Sequence, residues 1–514
     1  MHPRLHAASR PDAAALIMAE SGAAITYREL EARANQGAHA LRALDLQTGD
    51  TVSMVCDNRP EFFDIFWATQ RAGIILVPVS TRLKADEIVY IVNDSGSQAL
   101  LISERLADTA AHLTRERAQM PGLAHMLAIG AIAALPSWNE LVARQPATPI
   151  ADEANGARMA YSSGTTGRPK GIRNAQPTAG SDPIQPVGGA LLFGKLYPFD
   201  AETVYLSPAP LYHAAPMGFT TTTQALGGTV VVMEKFDPEA FLALIERCRV
   251  TMTQVVPTMF VRLLKLPADI RTRHDLSSLR AVIHAAAPCP VPIKQAMIDW
   301  LGPIVEEYYS GTEGSGFVKV GSKEWLARPG TVGRVIAGKI HICDDEGREL
   351  PVGETGTIYF SGGQGFSYHN APEKTASARN PLHPDWTTMG DIGRVDEEGY
   401  LFLSDRKDFM IIAGGVNIYP QEVENLLITH PSVADVAVFG VPNAEFGEEV
   451  KAVVQPAHWE DAGDAFAQGL IHWCRERLAD VKCPRTVDFE RALPRAETGK
   501  LYKKELRARY WPAA

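Results

Sequence analysis

The 514-residue chain has no CxxC pair and no zinc-ligand spacing; its six cysteines, Cys56, Cys248, Cys289, Cys343, Cys474 and Cys483, are scattered. That pattern excludes a disulfide scaffold or a thiolate metal centre as the organising device and fits a reducing cytoplasm. Long apolar runs are missing as well. The opening MHPRLHAASRPDAAAL lacks the apolar core of an export signal, and the longest weakly charged stretch, Ala124 to Pro136, is too short to cross a bilayer. Neither export nor a membrane span is expected. Basic runs are absent outside Gly499 to Arg509 and the net charge is −10, which argues against nucleic acid as the main partner. The basic tail reads as a solvated helix face, Lys503 and Lys504 included. No internal repeat or low-complexity tract is present.

What is present is an ordinary globular composition, 46% hydrophobic and 21% charged, in a chain too long for one core. Cores stop growing at about 250 to 300 residues, so two or more domains are expected. Thr26 with Glu29 three residues later forms a capping-box pattern, and Leu30, Ala34, Ala38 and Leu41 then mark one face of a helix. Asp237 and Pro238 open another helix as N-cap and first-turn proline. Strand-like runs at Gly73 to Val79, Ala99 to Ser103 and Thr229 to Met233 alternate with helical stretches, which predicts parallel α/β layers. From Gly356 to Gly415 the texture changes to short β-rich pieces with many glycines. The expected fold is α/β: a large N-terminal domain with parallel layers and a β-rich subdomain, then a small α+β C-terminal domain. The polar DRKD at 405–408, between two apolar strands, is either a β-turn or the joint between domains 1–404 and 409–514.

The stretch YSSGTTGRPKG, Tyr161 to Gly171, has no apolar periodicity. Its glycines let successive N–H groups point into one concavity, and its hydroxyls and Lys170 add donors and charge, as a phosphate chain requires. Neither the GxxxxGK[ST] loop nor GxGxxG is present, and composition by itself reads first as a flexible linker. The order of residue types, however, resembles the phosphate-binding signature of the AMP-forming adenylating superfamily, which includes acyl-CoA synthetases, peptide-synthetase adenylation domains and firefly luciferase. Further resemblances follow in family order: EYYSGTEG (307–314), TMGDIG (388–393), DRKDFMIIAGGVNIYPQEVE (405–424) and LPRAETGKLYKKELR (493–507).

The resemblance implies that a carboxylate attacks the α-phosphorus of ATP, giving pyrophosphate and an acyl-adenylate, from which a thiol displaces AMP. ATP and CoA are the implied co-substrates, with Mg²⁺. Carried over, Ser162, Ser163, Gly164, Thr165, Thr166, Gly167, Lys170 and Thr312 hold phosphates, and Glu313 is the Mg²⁺ ligand. Tyr309 stacks on adenine, and Asp391 and Arg406 hold the ribose. Lys500 is the lysine that bridges carboxylate and phosphate, and Asp408 is the hinge residue. Gly414 and Gly415 line the path of the CoA arm, with Phe446, Lys482 and Arg485 as further CoA contacts. His213 is the gate histidine, grouped with Lys500 and Glu313 as catalytic; Ala214, Gly218, Ala286, Ala287, Pro288 and Gly311 line the acyl pocket.

No acid follows His213, so an α-amino acid would bury its ammonium unpaired and is disfavoured. IHAAAPCP (283–290) departs from the family's Gly-Gly-Ala-Pro pattern and resembles synthetases for bulky acids: long-chain, steroid side-chain or arylpropenoic. The segment 172–189 also lacks the family's frequent Thr-His. A stand-alone adenylation enzyme loading a carrier protein would share every ATP residue. A non-catalytic nucleotide-binding protein would not need Glu313, Asp391, Arg406 and Lys500 together. Monomer and homodimer are both compatible with the sequence.

Overall fold

The computed structural model describes residues 2–162, 169–173, 180–182, 188–363, 365–406, 409–443, 445–495 and 501–511. They form two compact units, 1–255 with 266–283 and 366–376, and 256–265 with 284–365 and 377–514. Among the described residues no helix is long and apolar enough to cross a membrane.

The first unit carries the parallel layers. One sheet runs in the order Ser367–Tyr368, Lys170–Arg173, Ala157–Ser162, Ile75–Val79, Thr51–Val55, Ala99–Ser103, His125–Ile129. The strands from Ala157–Ser162 onward are parallel, and the two at the other edge are antiparallel. Thr51–Val55, Ile75–Val79 and Ala99–Ser103 are buried along their whole length, as central strands of a parallel sheet covered on both faces are. The expected run Ala99 to Ser103 is a strand to the residue, whereas the run from Gly73 starts as strand at Ile75, because Gly73 takes φ +67°. A second sheet joins Met252–Val255, Val204–Ser207, Thr229–Val232 and Ala14–Met18 in parallel, closed by an antiparallel Ala24–Thr26.

Helix Tyr27–Ala43 begins at the expected capping box: Glu29 N–H donates to the Thr26 hydroxyl at 3.2 Å, and Thr26 N–H donates to the Glu29 carboxylate at 2.8 Å. Leu30, Ala34, Ala38 and Leu41 are buried on one face. Gly37 lets this helix approach Glu61–Arg71, since a Cβ there would lie 2.7 Å from that of Ala68. Asp237 caps Pro238–Cys248 through Glu239 and Ala240 N–H groups.

The second unit is β-rich. Its antiparallel sheet runs Lys339–Cys343, Gly356–Ser361, Thr387–Val395, Leu401–Arg406, Thr331–Ala337, Phe317–Gly321, Val305–Tyr309. A smaller sheet, Val416–Ile418, Ile411–Ala413, Gly447–Pro456, Val433–Asn443, takes Thr486–Phe489 parallel to Gly447–Pro456. The period of two decides its packing. Val436 and Val438 join one core with Val423 and Leu427, while Ala437, Phe439 and Val441 join another with Leu493 and Leu506.

Candidate active site

In the first unit, strands Ala157–Ser162 and Lys170–Arg173 pair with Ser162 opposite Lys170, so the two flanks of the glycine-rich stretch lie side by side. Ser163, Gly164, Thr165, Thr166 and Gly167 lie outside the described residues. The flanks are tied down: the Tyr161 hydroxyl donates to Asp94 at 2.7 Å, and burial together with Asp94 keeps that phenol well above its ordinary range. Asn370 Nδ2 donates to the Asp94 carbonyl at 3.0 Å. Gly171 is needed for this closeness, since a Cβ there would lie 3.0 Å from the Tyr161 ring and 3.1 Å from His369. Lys170 Nζ sits 5.0 Å over the Tyr368 ring, a cation–π contact that holds the ammonium beside the strand ends.

His213 is the N-cap residue of helix Ala214–Ala225, in extended backbone, with its ring 4.4 Å from that of Tyr212. Ala214 is exposed at the first turn and Gly218 is buried on the second. A Cβ at Gly218 would stand 3.2 Å from the Phe193 ring, which stacks on Phe219 at 4.4 Å. The four consecutive threonines that follow are buried. The hydroxyls of Thr220, Thr221 and Thr223 return to carbonyls four residues back, at 2.8, 2.7 and 2.9 Å, which makes a polar run tolerable inside.

The second unit brings three predicted nucleotide residues into one chain of contacts. Asp391 and Arg406 face each other across adjacent strands, with Arg406 Nε 3.2 Å from Asp391 Oδ1, and the Tyr309 hydroxyl donates to Asp391 Oδ2 at 2.6 Å. Burial first, then Asp391, holds the Tyr309 phenol protonated far above its usual range. Each Asp391 oxygen keeps a lone pair for a further donor such as a sugar hydroxyl. Beyond Tyr309 the chain turns, with Gly314 at φ +68° and its N–H donating to the Gly311 carbonyl at 3.1 Å, leaving Thr312 and Glu313 half-buried. Gly311 has no room for a side chain, since a Cβ would meet Met389 Sδ at 2.0 Å and Glu313 Oε2 at 2.7 Å.

At the segment where the sequence departs from the glycine pattern, Ala286 has φ +76°, the left-handed region. A Cβ there costs about 1–2 kcal/mol. Ala287 and Pro288 follow directly. Just before them lies a group that sequence reasoning missed. Lys294 Nζ is 2.5 Å from Glu307 Oε2, His284 Nε2 is 3.6 Å from the same oxygen, and all three side chains are buried. Burial, reinforced by Lys294, holds His284 neutral and well below its usual pKa. The substitution of histidine at 284 was the one local signal of this cluster.

In the smaller sheet, Gly414 and Gly415 take φ +57° and +81° between the paired Ala413 and Val416. A two-residue hairpin turn with both central φ positive requires glycine-like residues, a more immediate reason for them than passage of a ligand arm. Phe446 is brought against this turn: its carbonyl accepts Gly414 N–H at 2.8 Å, and its ring is half exposed. Lys482 and Arg485 already meet carboxylates, Glu422 at 2.7 Å and Asp480 at 3.1 Å. Asp408 and Lys500 lie outside the described residues. Lys503, expected to be solvated, is instead buried, with Nζ 2.7 Å from Glu424 Oε1; Lys504 beside it is exposed. The burial has a helical cause, because Lys503 shares a face with buried Leu506 on Lys503–Ala508.

The family model described as AMP-binding enzyme matches residues 4–368, and that described as AMP-binding enzyme C-terminal domain matches residues 422–500. The chain belongs to the AMP-binding enzyme family. Feruloyl-CoA synthase of an Amycolatopsis species is 35% identical over 498 residues, 95% of this chain and 94% of that one. A long-chain-fatty-acid–CoA ligase of Mycobacterium tuberculosis is 30% identical over 508 residues, 99% of this chain and 97% of that one. Among solved structures, an anthranilate CoA ligase in complex with anthranoyl-AMP matches with a TM-score of 0.84 at 26% identity, over 99% of this chain and 96% of the other. Within the family the chain is an AMP-forming acyl-CoA synthetase.

Proposed function

We propose that this synthetase activates a bulky hydrophobic carboxylic acid, an arylpropenoic acid such as a hydroxycinnamate before a long-chain or steroid side-chain acid, and transfers it to CoA. The observation that carries the substrate class is the helix after His213. Residues 214–225 include no charged side chain, and Gly218 admits the Phe193 ring stacked on Phe219. Such a wall favours apolar, flat groups over a charged one. The likeness to a feruloyl-CoA synthase supports the same choice.

In this reading the adenine stacks on Tyr309, and Asp391 with Arg406 takes the ribose hydroxyls. Residues 162–167, Lys170 and Thr312 hold the phosphates, and negative charge on the phosphoryl oxygens meets preorganised donors rather than a protein nucleophile. Glu313 offers the single hard carboxylate that suits Mg²⁺, which takes most of its remaining ligands from phosphates and water. Bound there, Mg²⁺ supplies charge neutralisation. Lys500 bridges carboxylate and α-phosphate during adenylation. Rotation at Asp408, between 1–404 and 409–514, then exchanges Lys500 for the Gly414–Gly415 turn and Phe446, with Lys482 and Arg485 freed from their carboxylates toward the CoA phosphates. Ala214, Gly218, Ala286, Ala287, Pro288 and Gly311 surround the acyl chain, with His213 at its entrance.

The test is thioester formation with ATP, Mg²⁺ and CoA over hydroxycinnamates, benzoates, short and long fatty acids and steroid acids. The highest kcat/KM is expected for a hydroxycinnamate. A preference for short or amino acids would overturn the substrate class, and AMP release only with a carrier protein would overturn CoA as acceptor.

A further inference from the structure

Three residues beyond Lys500 in the sequence, Lys503 carries a buried charge. Lys503 Nζ lies 2.7 Å from Glu424 Oε1, with side chains 6% and 11% exposed. The same oxygen accepts Val438 N–H at 2.7 Å, so the carboxylate is oriented from two directions. Lys503 Nζ also lies 5.2 Å over the ring of Phe409, the first described residue after the hinge. One ammonium thus touches the hinge exit and helix Pro420–Leu427 while standing three residues from Lys500.

Other contacts join the described residues on either side of Lys500, 493–495 and 501–506. Leu501 bridges antiparallel to Arg495, Tyr502 N–H donates to the Pro494 carbonyl at 2.8 Å, and the Arg495 guanidinium grips Asp435, with Nη2 at 2.6 Å from Oδ1. Leu506 and Leu493 are buried in one core with Phe439. Three residues of extended chain reach about 10 Å, so fixing Lys503 bounds where Lys500 can stand. Buried ion pairs are weak stabilisers, often replaceable by apolar residues without loss. Leu506 and its neighbours already hold the helix down, so geometry is the better account of why a desolvated pair sits here.

We infer that Lys503, held by Glu424 and Phe409, is a positioning residue for adenylation, a strut that ties the lysine-bearing segment to the hinge exit. The inference rests on the adenylation role of Lys500. Its test is the ratio of the two half-reactions: adenylation, and thioester formation from supplied acyl-adenylate. Measured on one sample, the ratio is insensitive to the folded fraction.

Lys503→Met with Glu424→Gln, which keeps an acceptor for Val438, should lower adenylation kcat by about 10²-fold, the scale of a misplaced reacting group, with KM for ATP and thioester formation unchanged. Lys503→Arg should restore most of the rate, because a guanidinium still reaches Glu424. If the double variant does not fold, Lys503→Gln alone carries the same ratio test with a weaker donor. An unchanged ratio, whether both half-reactions survive or both fall alike, overturns the strut. Lys500→Ala run beside these separates the failures. If that variant keeps full adenylation, the role of Lys500 falls and the strut with it; if it loses adenylation while the Lys503 variants keep the parental ratio, only the strut falls.

Discussion

Replacing Lys294 by methionine would leave Glu307 with no cation beside it in the interior of the second unit. The pair is closed at 2.5 Å, with side chains 0% and 7% exposed. Removing one partner of such a pair costs about 3–5 kcal/mol, because the remaining charge is stranded. The folded variant avoids the stranded charge by taking up a proton, on Glu307 or on His284 at 3.6 Å. In the parent, burial raises the Glu307 pKa and Lys294 holds it down; without Lys294 it rises further. The sign follows from linkage. A carboxyl whose folded pKa lies above its unfolded value binds more protons when folded, so stability falls as pH rises above the unfolded value of about 4.3. Whichever group holds the proton, folding of the variant takes up one proton more than folding of the parent. Its deficit should therefore grow by about 1.4 kcal/mol per pH unit. From about 4 kcal/mol at neutral pH it should shrink to about 1–2 kcal/mol two units lower. Thermal midpoints of parent and variant, measured across this range, read the difference at about 2–4 °C per kcal/mol. Lys294→Met with Glu307→Gln should lose the pH slope. A deficit that does not change with pH, or a methionine variant as stable as the parent throughout, would refute this reasoning.

Other perturbations isolate single features. Tyr309→Phe removes the donor to Asp391 Oδ2 and should cost about 1 kcal/mol while raising KM for ATP; a lowered midpoint with unchanged KM would make the contact purely structural. Ala286→Val puts a β-branched residue at φ +76° and should cost about 1–3 kcal/mol, whereas Ala286→Gly should hold or raise the midpoint. Thr26→Ala removes the acceptor of the capping box and should lower stability by about 1 kcal/mol without changing either half-reaction.

Much of the fold was legible because its signals are local. Thr26 and Glu29 lie within one turn, and the run Ala99 to Ser103 needs only its own apolar residues to declare a buried strand. Tyr309, Asp391 and Arg406 were picked out by resemblance, and the structure brings the three into mutual contact. What escaped depends on partners distant in sequence. Lys503 stands in a basic run that local rules send to solvent; it shares a helix face with buried Leu506, and Glu424 and Phe409, distant in sequence, give its charge partners. His284 and Glu307 lie on different strands with Lys294 on a helix between them, and no short-range periodicity links the three. Gly414 and Gly415 were read for ligand passage, while their positive φ values show that the turn itself already requires them.

The most direct test of the central claim is the fate of ATP when the protein is incubated with Mg²⁺, CoA and a hydroxycinnamate. AMP and pyrophosphate are expected in equal amounts with one acyl thioester, and acyl-adenylate is expected to accumulate when CoA is withheld. Formation of ADP and phosphate, or thioester without AMP, would contradict that claim.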